Sequence, residues 1–206
     1  MSLGLTTLAS DSEVAPASRL ATLPPWPWDP LDPSAPMTLG YHAAQWAETR
    51  LKQPNGPRAG KLFRCTAGQL RWLLWWYAMD GYGDWLFNHG VRRLAKGSGK
   101  SPFAGVQCLI EFCGPVRLAK KDSREAGGCV GKQVEMPLVQ IAAVAESQTM
   151  NTMRYVRAFA PKGSSVVKEY DLDPGKTLYY KMPEGTLQII TSSVLASEGG
   201  EALFIV

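Results

Sequence analysis

The chain has 206 residues, 45% apolar and 19% charged, with a net charge of +4. That is the balance of a globular protein able to bury one substantial core. No apolar run approaches the ~20 residues that span a bilayer, and the first residues lack the basic start and apolar core of a secretory signal. Two histidines and four cysteines without a C-x-x-C pair argue against a zinc site and for reduced thiols in a cytoplasmic chain.

Residues 1–36 hold seven of the 15 prolines, and four acids against one base give them a charge of −3, leaving +7 for the rest. Proline lacks an amide donor and fixes its backbone angle, so this region reads as a disordered start and then an extended arm. Trp26 and Trp28 either pin that arm to the body or belong to a free linker. The body, residues 37–206, begins with a predicted helix over 41–53 that stops before the turn Pro54-Asn55-Gly56-Pro57. A second helix is predicted over 66–79. Its interior, Leu70-Arg71-Trp72-Leu73-Leu74-Trp75-Trp76-Tyr77, is apolar around most of its circumference and calls for burial on several sides. Core packing explains the three tryptophans better than a stacking platform for single-stranded nucleic acid does.

Residues 85–94 read as a strand and 100–113 as a helix, with Pro102 in its first turn, where a missing amide costs little. Residues 119–136 are charged and glycine-rich, an expected exposed excursion. The near-continuous apolar run 138–144 marks a strand covered on both faces, followed by a helix over 147–159. Segments 177–182 and 186–191 alternate about Pro183-Glu184-Gly185, a hairpin signal, and 201–206 reads as a last strand. The class is α/β, with helices on both faces of a mostly parallel sheet.

Between the predicted strand and helix stands Ala95-Lys96-Gly97-Ser98-Gly99-Lys100-Ser101. Strand, glycine loop and helix is the context of a phosphate-binding loop. Gly97, Ser98 and Gly99 would bring backbone amides up to a phosphate at a helix amino end. Lys100 would reach the β- and γ-phosphates, and the Ser101 hydroxyl would bind magnesium. The pattern G-x-x-x-x-G-K-[ST] fails at its first position, where Leu94 stands. No acid lies between Asp84 and Glu111, while Arg92, Arg93, Lys96 and Lys100 all do, a local field suited to phosphates. The alternative is a solvated basic turn. Upstream, Thr66-Ala67-Gly68-Gln69 is either a capping box or, through Gln69, a reader of adenine. Glu146, Ser147 and Gln148 follow the 138–144 strand, either as residues beside the nucleotide or as a plain helix start.

Four stretches in order resemble the large terminase subunit of tailed bacteriophages: residues 25–33 (PWPWDPLDP), 66–78 (TAGQLRWLLWWYA), 95–103 (AKGSGKSPF) and 139–149 (VQIAAVAESQT). The resemblance implies a P-loop NTPase-like fold and the ATPase of a DNA-packaging motor, using ATP and Mg²⁺. Terminases often carry a deviant loop without the first glycine. Many have an arginine four residues before the loop lysine; Lys96 holds that place here, keeping the charge without the bidentate fork, and Arg92 or Arg93 are the substitutes on offer. The implied partners are double-stranded DNA, a small terminase subunit, the portal protein and sibling subunits in a homo-oligomeric ring, in the host cytoplasm.

The chief departure is at the carboxyl end. The family's last strand continues into Asp-Glu, the magnesium acid and the base for water, and this sequence stops at Val206. The expectation is a truncated ATPase domain that binds nucleotide weakly and turns it over poorly. The rivals are a helicase-like nucleic-acid ATPase and a non-catalytic nucleotide-binding remnant or assembly module.

Overall fold

The computed structural model describes residues 35–181, 183–191 and 204–206. The proline-rich arm, Trp26 and Trp28 lie outside them, as does most of the segment before the last strand.

Strand β1 (Met37–Thr38) leads into helix α1 (Gly40–Arg50), and helix α2 (Ala67–Trp76) into strand β2 (Ala78–Met79), which pairs antiparallel with β1. The start of α1 is pressed onto α2. The Thr38 hydroxyl donates to the Leu74 carbonyl at 2.7 Å and accepts the Gly40 amide. A Cβ on Gly40 would stand 2.6 Å from the Leu73 carbonyl carbon, so only glycine fits. The predicted turn separates the two helices, closed by the Gln53 amide on the Lys61 carbonyl. At the start of α2 the capping box is complete: Thr66 accepts from the Gln69 amide and Gln69 from the Thr66 amide.

Residues 86–96 do not form the predicted strand. Apart from one bridge between Met79 and Trp85 they are irregular, with Leu86, Phe87 and Val91 exposed. A strand persists only where a neighbour takes its amides and carbonyls; β2 accepts the Leu86 amide at the Ala78 carbonyl, and none of the described strands pairs with the residues beyond. Gly90 instead lies flat on two indoles, where a Cβ would be 2.8 Å from Trp72 Cη2 and 3.1 Å from Trp76 Cζ3.

Helix α3 (Lys100–Cys113) is the centre of the core; Phe103, Val106, Cys108, Leu109, Ile110, Phe112 and Cys113 are buried. The expected excursion after it is a ribbon of β3 (Arg117–Lys121) and β4 (Cys129–Lys132), with a bulge between Leu118 and Lys120. Buried Cys129 and the Thr38 amide bond to the Gly127 carbonyl tie it to the body.

Strand β5 (Leu138–Ala143) is followed by helix α4 (Glu146–Phe159), the short helix α5 (Ser165–Glu169), β6 (Leu172–Pro174), β7 (Leu178–Lys181), β8 (Gly185–Thr191) and β9 (Phe204–Ile205). The sheet order is β6-β7-β8-β5-β9. β5 is parallel to both β8 and β9, while β6-β7 and β7-β8 are antiparallel. The sheet is therefore mixed rather than mostly parallel. The alternation around Gly185 made its two arms a hairpin, which cannot be parallel. Among the described residues no helix is long and apolar enough to cross a membrane.

Helices α3 and α4 meet at Gly105, where a Cβ would lie 3.0 Å from Tyr155 Cβ and 3.1 Å from the Val156 nitrogen. Gly105→Val is expected to destabilise the chain by about 1–3 kcal/mol through overpacking, read as a lower denaturant midpoint.

Candidate nucleotide site

The loop before α3 turns through two left-handed residues, Gly97 at φ +83° and Gly99 at φ +78°. A Cβ at either would meet nothing within 4 Å, so the demand for glycine is conformational. The Ser98 hydroxyl and amide both donate to the Ala95 carbonyl, at 2.7 and 3.3 Å. Lys100 folds back over the loop, and its Nζ donates to the carbonyls of Leu94 at 2.7 Å and Ala95 at 2.8 Å. Ser101 sits beside it in the first turn, where helix amides have no acceptor of their own. Lys96 is exposed on the turn and forms no ion pair among the described residues. Gly97, Ser98, Gly99, Lys100 and Ser101 thus lie at the amino end of α3, an end that favours anions.

Two neighbouring contacts place α2 relative to this loop. The Trp72 indole N–H donates to Gln107 Oε1 at 3.0 Å and the Trp76 indole N–H to Glu111 Oε1 at 3.3 Å, both with a sequence offset of 35. A constant offset means that α2 and α3 run parallel in fixed register. Gln69, one turn before Trp72, is therefore level with the first turns of α3. Its capping bond uses only Oε1, and the amide nitrogen carries two further donors. Capping and base reading are chemically compatible.

The loop also has a definite place on the sheet. Cys113, at the far end of α3, feels the charge of Lys181, whose Nζ donates to the Val134 carbonyl ahead of β5. The end of α3 thus lies where β5 begins, and its start at the edge where β5 finishes. Residues 144–148 are exposed at that edge. Glu146, Ser147 and Gln148 open α4 there, and the Glu146 carbonyl accepts from the Thr149 hydroxyl.

Two features escaped the sequence reading. The first is a buried polar pair on α3. Glu111 is 3% exposed; its Oε1 accepts from Tyr77 at 2.8 Å as well as from Trp76, and its Oε2 faces Arg117 at 3.6 Å. Burial raises its pKa against the opposing pull of Arg117. Gln107 and Glu111, four apart on an otherwise apolar helix, were the available signal. The second is the setting of Arg92, which the sequence offered as a phosphate contact: its guanidinium carbon lies 4.5 Å from the Phe103 ring centroid and 5.3 Å from that of Trp72. Among the described residues no group of three or more histidine, cysteine or acidic side chains is poised to hold a metal.

The chain is similar to the "Gene 13 protein" of Mycobacterium phage D29, 33% identical over 218 residues that cover 94% of this chain and 36% of the relative. It is likewise similar to the "Gene 13 protein" of Mycobacterium phage L5, 33% identical over 187 residues, covering 82% of this chain and 31% of the relative. Both relatives are bacteriophage proteins, and the chain spans about a third of their length. No protein-family description matches the chain, and no solved structure does.

Tyr77→Phe removes one donor from a buried carboxylate and is expected to cost about 2 kcal/mol, with the denaturant midpoint lowered and the slope unchanged. Because burial holds the Glu111 pKa above its ordinary 4.5, the folded chain binds that proton more tightly than the unfolded chain. The contribution falls as pH rises from 4.5 through the folded value and returns on acidification. Wild type should therefore gain stability relative to Glu111→Gln as pH is lowered from neutrality toward 4.5, measured by denaturant titration.

Proposed function

We propose that this chain is the amino-terminal ATPase portion of a bacteriophage DNA-packaging terminase large subunit, with a P-loop NTPase-like fold. The observation that carries the reading is the loop itself. Two left-handed glycines and a back-folded Lys100 stand at the amino end of a buried helix, with Gln69 held level by the α2–α3 register. In this reading the amides of residues 97–101 and Lys100 bind the polyphosphate, Ser101 takes one magnesium position, and Gln69 contacts the adenine. Mg²⁺, when bound, would supply charge neutralisation at the phosphates. Lys96 adds positive charge at the mouth without the planar fork of an arginine.

β9 runs parallel to β5 and so points the same way in the sheet. The family's two acids follow that strand, and the phage relatives are about three times as long as this chain. Double-stranded DNA, a small terminase subunit, the portal protein and sibling subunits are the partners this reading assigns to the whole motor in the host cytoplasm.

Calorimetry with Mg-ATP tests the site: wild type is expected to bind, and Lys100→Ala to weaken binding by on the order of a hundredfold. No heat at millimolar Mg-ATP would refute the reading. Turnover tests the motor reading. Residues 1–206 should hydrolyse ATP poorly, and a chain of the relatives' length should hydrolyse it faster by at least about three orders of magnitude. Robust turnover by residues 1–206 contradicts that expectation. Binding without turnover in the longer chain marks a non-catalytic module, and translocation on DNA without a procapsid marks a helicase-like enzyme.

A further inference from the structure

A phosphate loop is useful only if something fixes it relative to the sheet. A paired strand entering the loop would do so, and residues 86–96 are not one. What they have instead is a stack of rings. Arg92 lies against Phe103, in the first turn of α3, and against Trp72. Trp72 stacks on Trp76 with centroids 5.8 Å apart and planes 7° from parallel, and Trp76 meets Phe204 of β9 edge-on at 5.9 Å. Gly90 rests on the Trp72 and Trp76 rings, closer than any residue with a Cβ could.

We propose that Arg92 is the positioning residue of the loop: its guanidinium, clamped between Trp72 and Phe103, hangs the loop from an aromatic column that reaches the sheet edge at Phe204. Only Arg93 separates Arg92 from Leu94, whose carbonyl Lys100 holds, so the clamp and the lysine grip opposite ends of one short span. Arg92 has no acid partner among the described ion pairs, and the sequence offers no acid from residue 85 to residue 110. Its affinity for the two rings is a cation–π attraction strengthened by partial desolvation. A lysine keeps the charge but not the flat face that two rings can sandwich. The role is distinct from a phosphate-contacting arginine, because the guanidinium is spent on the rings.

The test uses the 206-residue chain and the variants Arg92→Lys and Arg92→Ala, without nucleotide. Trypsin cleavage after Lys96 and Lys100, followed by mass, should accelerate on the order of tenfold in both variants, the loss of a partly buried cation–π pair. The circular-dichroism couplet of the stacked Trp72–Trp76 indoles should weaken, with helix content retained. Cleavage of Arg92→Lys within twofold of wild type overturns the proposal, whatever the indoles do. If Arg92→Ala fails to fold, Arg92→Lys decides. A second arm rests on the nucleotide reading above: Mg-ATP affinity of Arg92→Lys should fall on the order of tenfold. A wild type that binds no Mg-ATP refutes that reading and leaves the cleavage rates to judge the column.

Discussion

Taking a carboxylate out of water is costly unless its oxygens are occupied, and Glu111 is taken out of water in the last turn of the most buried helix. Its partners come from elsewhere in the chain: Trp76 and Tyr77 from the end of α2, and Arg117 from the start of β3. Apolar contacts would let two helices slide along each other at small cost, whereas these bonds exist in only one register. Trp72 and Gln107 repeat the match one turn earlier. The same register that gives Glu111 its two donors from α2 sets Thr66 and Gln69 level with the amino end of α3. The position of the candidate base reader thus follows from a buried charge about three turns down α3 from the loop.

The indoles that reach Gln107 and Glu111 are also spacers. Trp72 and Trp76 lie parallel, so each donates its N–H to α3 while offering a face to the segment that enters the loop. An indole buried with its N–H unpaired would be a liability; here each has a polar partner on α3. Because one flat surface is available over two helical turns, a glycine and a guanidinium suffice to seat residues 90–92. Leucines at those two positions of α2 would bury as much apolar area without offering a face or a donor.

Much of the architecture was legible in the sequence. The capping box at Thr66 and Gln69, the helices after residues 40 and 146, the one beginning at Lys100, and the hairpin around Gly185 follow from local signals that tertiary packing did not override. Residues 85–94 misled because Trp85, Leu86, Phe87 and Val91 are good strand formers, and propensity says nothing about whether a neighbouring edge is available. The ribbon after α3 was hidden for the opposite reason: Lys120, Lys121 and Gly127 look like loop, yet Cys129 and Gly127 are held by the body. In the site, the glycines, Lys100 and Ser101 were readable because their spacing is set within one turn. The donors to Glu111 and the ring contacts of Arg92 were not, because Tyr77 and Trp76 lie 34 and 35 residues before Glu111, and Trp72 and Phe103 come from two different helices.

Lys100 raises a question of competition, since its ammonium already serves two carbonyls. An ammonium has three donors. With Leu94 and Ala95 holding two, one remains for an anion at the loop's mouth, so a phosphate need not displace the bonds that keep the loop closed. In the proposed site the two carbonyls would hold the ammonium in place before binding and reduce the entropy lost on binding. The same geometry accounts for Leu94 in the place of the first glycine. That position contributes its carbonyl to Lys100 rather than an unusual backbone angle, and a carbonyl is common to every residue. The glycines that the loop cannot do without are the two at positive φ, Gly97 and Gly99, and both are present.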